Sequence, residues 1–409
     1  MKVLHIAEKA DGGGAESVFR ETVQVFKKYD QKRKHYVACR YSEKLPFVVD
    51  FAFTEKKENI FSKIYSNSNK KELARFLSDL EPEIIHLQHY ANLSPSILHA
   101  LYNYKRKNKK TTIIQTVHTF EYACSHHAAY DYKQNKRCLD CASQTFKTKI
   151  FYRNCSRLGF AHSFGKGLAS LLSHYFYNKQ FIDKLIVPSE FMRTAVGLNK
   201  SRDMRKVIVV NNPIADELFE ANPTEKKNQI LYFGRLSEEK NIDLLLRGYS
   251  HYQKSVNLAF PLVIIGEGSE KERLISLSIE LGCADYVTFM PFLSHFELKK
   301  YLEVSKISLL TSKCFENAPM MVIESLACDI IPIVCNHGGM LEMVECFGFG
   351  FHFNADDYLD LAKTIEDVTN NYNIIINRNK GLKDEVKRSL SSLYFFDKIN
   401  NIYDLSAIS

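Results

Sequence analysis

Tryptophan is absent from this chain, and proline and glycine are scarce, 10 and 17 among 409 residues, against average usages of about 5% and about 7%. That scarcity excludes collagen-like and low-complexity polymers. No run reaches the roughly 18 apolar residues that a membrane-spanning helix needs. The opening MKVLHIAEKADGGGAE turns to acids and glycines after one strand-sized apolar run, so it lacks a signal-peptide core, and a cytosolic protein is expected. Internal repeats are missing. So is a G-x-G-x-x-G directly after the first strand, which argues against a dinucleotide oxidoreductase. A convincing D-x-D is missing too, so neither a metal-bridged diphosphate nor a catalytic metal is expected. In a cytosolic setting the ten cysteines are thiols or metal ligands and not a disulfide framework.

With 45% hydrophobic, 25% charged and 12% aromatic residues, the composition is that of a folded globular protein. The length exceeds one ordinary core, which predicts two domains. NNPIADELFEANPTEKKNQ, beginning at Asn211, looks like the linker between them. Net charge divides there: residues up to 215 carry 36 Lys+Arg and 19 Asp+Glu, or +17, and the remainder carries −9, within a total of +8. A basic half suits an anionic surface or substrate. A nucleic-acid partner is not expected.

The first half alternates strand-like runs (Val3 to Glu8, HYVACRY, PFVVDFAF, EIIHLQH, TIIQTVH) with helical patterns. This order predicts a parallel sheet covered on both faces, with active residues gathered at the carboxyl ends of strands. His86, His89 and His118 fall toward such ends. In ADGGGAES, Gly12, Gly13 and Gly14 permit close backbone approach at a helix mouth. Cys124, Cys138, Cys141 and Cys155 are separated by 13, 2 and 13 residues. One C-x-x-C knuckle with two flanking thiols predicts a structural zinc site, with buried free thiols as the alternative. From Ser156 to Lys179 the residues Phe160, Phe164, Leu168, Leu171, Leu172, Tyr175 and Phe176 recur at helical spacing. A core-facing stripe is the plainer interpretation, and an interfacial helix on lipid the sharper one. The run KRKNKK, Lys105 to Lys110, suits a solvated loop able to attract anionic lipid.

In the second half, ILYFGRLSEEKN is a strand that ends at Gly234 and delivers Arg235 and Lys240, a fork and a point charge suited to a diphosphate. FPLVIIGEGSEKERL ends a second strand at Gly266. ISLLTS, Ile307 to Ser312, is short, apolar and suited to a buried strand. After it comes CFENAPMMVIESLACDIIPIVCNHGGMLE. Pro319 predicts a helix start, whose free N–H groups and dipole favour an anion. Glu316 lies on the loop at that mouth, and Glu324 inside the helix. Ordinary solvated glutamates are the alternative for this pair. Gly338, Gly339 and Glu342 form a second turn. After Asp356 the chain is expected to be helical except at Ile374 to Ile376, and the last amphipathic segment runs from Leu393 to Leu405.

The glycine loop, TVH, G-R-L-x-x-x-K, and E-x7-E followed by GGxxE together resemble the retaining glycosyltransferases of family 4, which have the GT-B fold. The resemblance implies an α/β chain of two Rossmann-like parallel-sheet domains facing a cleft. Residues 1–213 would form the acceptor side, with a cysteine-rich insertion at 120–156. Residues 214–390 would bind the nucleotide sugar, and 391–409 would pack back on the first domain. The implied reaction is metal-independent, retaining transfer of a hexosyl or N-acetylhexosaminyl group to an acceptor hydroxyl. UDP is the favoured donor nucleotide, and a glycan or lipid-linked acceptor at an anionic inner membrane surface is expected, as in bacterial surface-polysaccharide synthesis. Carried over residue by residue, Glu316 holds the donor sugar, Glu324 the ribose, and Arg235 and Lys240 the diphosphate. His118 faces the sugar, and Gly13, Gly14, Gly234, Gly266, Asn317, Ala318, Pro319, Met320 and Met321 line the donor. Three departures touch local geometry: Thr119 stands where an acid is common, and Pro291 and Asp329 stand where glycines are. A nucleotide-sugar epimerase on the same fold and a non-catalytic sugar-nucleotide binder stay open.

Overall fold

The computed structural model describes residues 1–42, 45–54, 60–220 and 225–408. The chain divides into two compact units, Met1–Pro213 with Ser392–Ser409, and Ile214–Ser391. Of the linker-like stretch, 221–224 lie outside the described residues.

In the first unit the strands are β1 (Lys2–Ile6), β2 (Lys34–Cys39), β3 (Phe51–Ala52), β4 (Ile84–Leu87), β5 (Thr112–Thr116), a small antiparallel pair β6 (Tyr130–Asp131) and β7 (Lys136–Arg137), then β8 (Lys184–Val187) and β9 (Val207–Val209). All but β6 and β7 form one parallel sheet ordered β3-β2-β1-β4-β5-β8-β9. Val3, Leu4, Ile84, Ile85, Ile113 and Ile114 are fully buried, because helices on both faces leave no strand side to water. The run PFVVDFAF contributes only the two-residue edge strand β3. Strand order reverses between β1 and β4, and the loops that leave their carboxyl ends diverge to opposite faces there.

The helix Ser392–Ile408 belongs to this first unit. Phe395, Ile399, Ile402 and Tyr403 close a core with Val3, Phe26, Ile84 and Ile114. Polar contacts fix its register: Tyr403 OH lies 2.7 Å from His86 Nδ1, and Arg33 bridges Asp30, Asn400 and Asp404.

The second unit carries β10 (Ile230–Phe233), β11 (Leu262–Ile265), β12 (Val287–Met290), β13 (Ile307–Leu310), β14 (Ile331–Cys335) and β15 (Phe351–Phe353). Its parallel order is β12-β11-β10-β13-β14-β15, so the reversal falls between β10 and β13. One expectation fails here. Ile374–Ile376 is not an interruption but part of the helix Tyr358–Arg378. Ile375 and Ile376 pack on the core while Ile374 is exposed, and burial of two outweighs the weak β preference of three branched side chains. Asp329 has φ 53°, in the left-handed region. The bend between helix and β14 therefore survives the loss of glycine, since aspartate is among the few residues that visit this region.

Candidate functional site

The second unit builds its site at the reversal point, where the loops after β10 and β13 meet. Gly234 and Arg235 follow β10 directly, and Lys240 closes the short turn Glu238–Lys240. From the β13 loop, Glu316 Oε1 accepts from Lys240 Nζ at 2.5 Å and from Ser312 Oγ at 2.7 Å. Both bonds converge on Oε1. Burial works to raise the Glu316 carboxyl, but Lys240 and Ser312 hold it below its usual value. Burial works to lower Lys240, and Glu316 raises it above its own. The pair is ionised. Arg235 is different: its side chain is 70% exposed, 3.7 Å from Glu239, and its guanidinium extends into solvent.

The helix Met320–Ala327 starts with Pro319 as its extended cap. Ala318 N donates to Asn317 Oδ1 at 2.6 Å, which shapes the loop just before the first free N–H groups. Glu324 is 6% exposed, so neither glutamate is a solvated surface residue. The glycines act on this loop at atomic contact. A Cβ on Gly339 would stand 1.7 Å from Asn317 O, and Gly339 N donates to Glu316 O at 2.7 Å. Gly266, at φ +155°, would put a Cβ 1.9 Å from Gly234 O. GGxxE is therefore the seat on which the Glu316–Asn317 backbone rests, a role its spacing alone did not disclose. Ser312, the last residue of ISLLTS, is the partner that sequence reasoning missed.

The first unit has its own polar cluster at the β1/β4 reversal. Glu8 accepts from Asn92 N and Nδ2 at 3.1 and 2.8 Å, and His89 Nε2 lies 3.3 Å from its Oε2. Burial would raise Glu8, yet the His89 and Asn92 hydrogen bonds hold it at about 2. His89 is raised: burial lowers it, and Glu8 more than reverses this. His118, after β5, lies with Nε2 2.9 Å from Gln88 Oε1, and burial drives it down to about 3, so it is a neutral imidazole. Thr119 donates to Glu121 Oε2 at 2.5 Å, and Gln115 Nε2 to Glu121 Oε1 at 2.8 Å. Thr119, which stands where an acid is common, is thus a partner of Glu121, whose carboxyl is pushed up to about 7 by burial. His86 has another role. Its Nε2 lies 2.7 Å from Thr116 Oγ1 while Nδ1 meets Tyr403, which makes it a structural link to the C-terminal helix. Gly13 caps the helix Gly14–Tyr29, placing the glycine loop at that helix mouth.

Cys124, Cys138, Cys141 and Cys155 line one small hollow with Tyr130, Ile150 and Arg153. None of the ten cysteines is in a disulfide. As they stand, no three His, Cys, Asp or Glu among the described residues are grouped to hold a metal ion. Burial raises the thiols of Cys124, Cys141 and Cys155, the last two to about 11 and about 12.

Residues 214–385 match the family model of glycosyl transferases group 1. The second unit is a glycosyl transferases group 1 domain. Among curated relatives, the chain is 29% identical over 176 residues to a Campylobacter jejuni N-acetyl-D-galactosaminyltransferase whose named substrate is a diphospho-undecaprenol glycan, covering 42% of this chain and 47% of that enzyme. An uncharacterised glycosyltransferase of Haemophilus influenzae is 26% identical over 220 residues, 53% of this chain and 59% of the relative. The chain therefore spans under two thirds of either length. The likeness of fold extends over the whole chain. Anabaena HepE in complex with UDP superposes with TM-score 0.72 at 14% identity, covering 99% of this chain and 100% of that one. A Rickettsia africae glycosyltransferase gives 0.71 at 16%, covering 99% and 98%. Two parallel-sheet α/β units with such neighbours are the GT-B fold. No helix among the described residues is long and apolar enough to cross a membrane.

Proposed function

We propose that this chain transfers a sugar from a nucleotide diphosphate donor to an acceptor hydroxyl with retention, without a metal, and that the acceptor is a lipid-linked glycan. The observation that carries the proposal is the ionised Lys240–Glu316 pair at the β10/β13 reversal, beside the solvent-facing Arg235 and the helix that begins at Met320. Departure of a nucleoside diphosphate develops negative charge. Lys240, Arg235 and the free N–H groups at the helix start are the local groups able to stabilise it. Glu316 would accept from a sugar hydroxyl, and the buried Glu324 from the ribose. On the acceptor side Glu8, His89, His118 and Glu121 supply the polar groups.

UDP is the expected nucleotide, since neighbours of the same fold are complexes with UDP and with UDP-glucose. The test is thermal stabilisation by a panel of nucleoside diphosphates, because a ligand of the native state raises the melting temperature by mass action. UDP should shift it and the shift should persist in chelator. Product released only when acceptor is supplied, with the donor's anomeric configuration by NMR, supports retaining transfer. Turnover of the donor alone to an isomer would support epimerisation, and binding without turnover a non-catalytic role.

The cysteine hollow carries a separate structural proposal, one zinc ion held by Cys124, Cys138, Cys141 and Cys155. Its support is the convergence of four thiols on one hollow; they would have to draw inward and lose protons on binding. Elemental analysis of protein purified without chelator should find about one equivalent, lost in Cys138→Ser/Cys141→Ser. Metal-free wild-type protein leaves buried thiols only.

A further inference from the structure

The helix Phe160–Tyr177 is turned inside out. Its buried residues are Ser163, Gly165, Gly167, Ser170, Ser173 and His174, together with Phe176 and Tyr177. Small residues are required there: a Cβ on Gly167 would come within 2.7 Å of the Phe151 ring, where the short helix Ile150–Arg153 packs. Of the apolar stripe expected to face a core, Phe176 does so, while the other members turn outward or stay half-buried. Phe160, Phe164 and Tyr175 are 55%, 44% and 49% exposed, and Leu168, Leu171 and Leu172 are half-buried. Phe164 joins Phe160 and Phe151 at ring distances of 6.2 and 5.2 Å, so the stripe is a connected surface. Tyr152, Leu158 and, on the packed helix Ile60–Ile64, Phe61 extend it at 68%, 67% and 77% exposure.

The charge along this segment is predominantly positive. From Cys141 to Ile182 the sequence contains no aspartate or glutamate, while it contains Lys149, Arg153, Arg157, Lys166 and Lys179 besides the buried Lys147; Asp140, just before this run, pairs with Arg153. His162 lies on the same helix and, besides burial, is pushed down by Lys166, Lys63 and Arg157 together. Exposed aromatics rimmed by cations, with acids excluded over 42 consecutive residues, are what a helix lying in the headgroup region of an anionic bilayer requires.

We propose that the surface formed by Phe160, Phe164, Leu158, Tyr152 and Phe61 docks this protein on an anionic lipid bilayer. The helix begins on the carboxyl side of β5 and returns to β8, so its Phe160 end lies at the same sheet edge as Glu8, His89 and His118. A docked bilayer would thus lie beside the acceptor-side cluster. That last step rests on the glycosyl-transfer proposal, whereas docking itself does not. Lys107, Lys109 and Lys110, at the end of the helix Ser96–Lys107, lie at the opposite edge, just before β5 begins.

The experiment is co-sedimentation of the full chain with phosphatidylcholine vesicles containing or lacking phosphatidylglycerol, at low and high salt. The wild type should sediment with the anionic vesicles and less so as salt rises. Phe160→Ser/Phe164→Ser should lower the partition coefficient by roughly tenfold or more, and Phe61→Ser should lower it in the same direction. Lys109→Glu/Lys110→Glu, on the far edge, should change it about twofold or less. Unchanged partitioning in both phenylalanine variants, or a wild type that stays in solution at low salt, overturns the proposal. So does a wild-type dimer in solution that Phe160→Ser dissociates, which would make a second copy the occupant. UDP-induced thermal shift, measured on the same variants, should stay at the wild-type value, so failure of docking and failure of donor binding are read separately.

Discussion

Lys240 and Glu316 are 17% and 16% exposed at the side chain, and this decides how their variants must be interpreted. Their positions at strand ends suggest that substitution would leave the fold alone, but removing one partner strands the other's charge in a largely dry loop. Lys240→Ala should lower stability on the order of 2 kcal/mol, between the values of exposed and fully buried pairs, and turnover by roughly two orders of magnitude. Lys240→Met with Glu316→Gln removes both charges, so the melting temperature should recover while turnover does not. Recovery of both would make the pair structural. Glu121 gives a prediction in pH. Its carboxyl moves from an ordinary 4.5 to about 7 because it is buried, so between those values the native state holds a proton that the unfolded state has lost. Stability from this group is complete below about 4.5 and falls as pH rises to about 7. Glu121→Gln should leave the melting temperature unchanged at pH 4.5 and raise it relative to wild type at pH 8. An equal shift at both would show that Glu121 is not the group that titrates.

At the scale of elements, most of the strands, though not their order within the sheets, were legible because parallel strands buried on both faces read as short apolar runs between helical patterns. Lys240, Arg235 and Glu316 were legible as candidates from their places after those runs. The contact between Lys240 and Glu316 was not, since 76 residues separate them and only the pairing of β10 with β13 brings the loops together. The same holds for Gly339. Its spacing after E-x7-E marked a turn, but the reason it must be glycine is the Asn317 carbonyl 1.7 Å from where a Cβ would stand. Gly339→Ala should displace the Glu316 loop and abolish the UDP-induced thermal shift with the sheet intact by circular dichroism. A preserved shift would remove that loop from the donor site. Ile374–Ile376 shows the opposite case: local β preference pointed away from helix, and tertiary packing on the second-unit core overrode it.

At the scale of the molecule, the last helix completes the first unit although the second unit intervenes in sequence. Tyr403→Phe leaves His86 Nδ1 without its hydroxyl partner and should cost about 1–3 kcal/mol. A chain ending at Ser391 uncovers Phe26, Ile84 and Ile114. Limited proteolysis should then digest 1–213 rapidly while 214–391 survives, and equal resistance of both would contradict the packing. Composition, hydrophobic period and charge order are properties of the chain itself. By themselves they determined an α/β protein of alternating strands and helices, a basic first half and acidic second, and the residues able to meet a diphosphate. Which of those residues touch was decided by the tertiary structure, because register, close approach and burial depend on segments far apart in sequence. The helix Phe160–Tyr177 makes the difference plain. Its periodicity announced an apolar stripe, but only the packing of Ser163, Gly167 and Ser170 within the first unit turned Phe160, Phe164 and Tyr175 of that stripe outward.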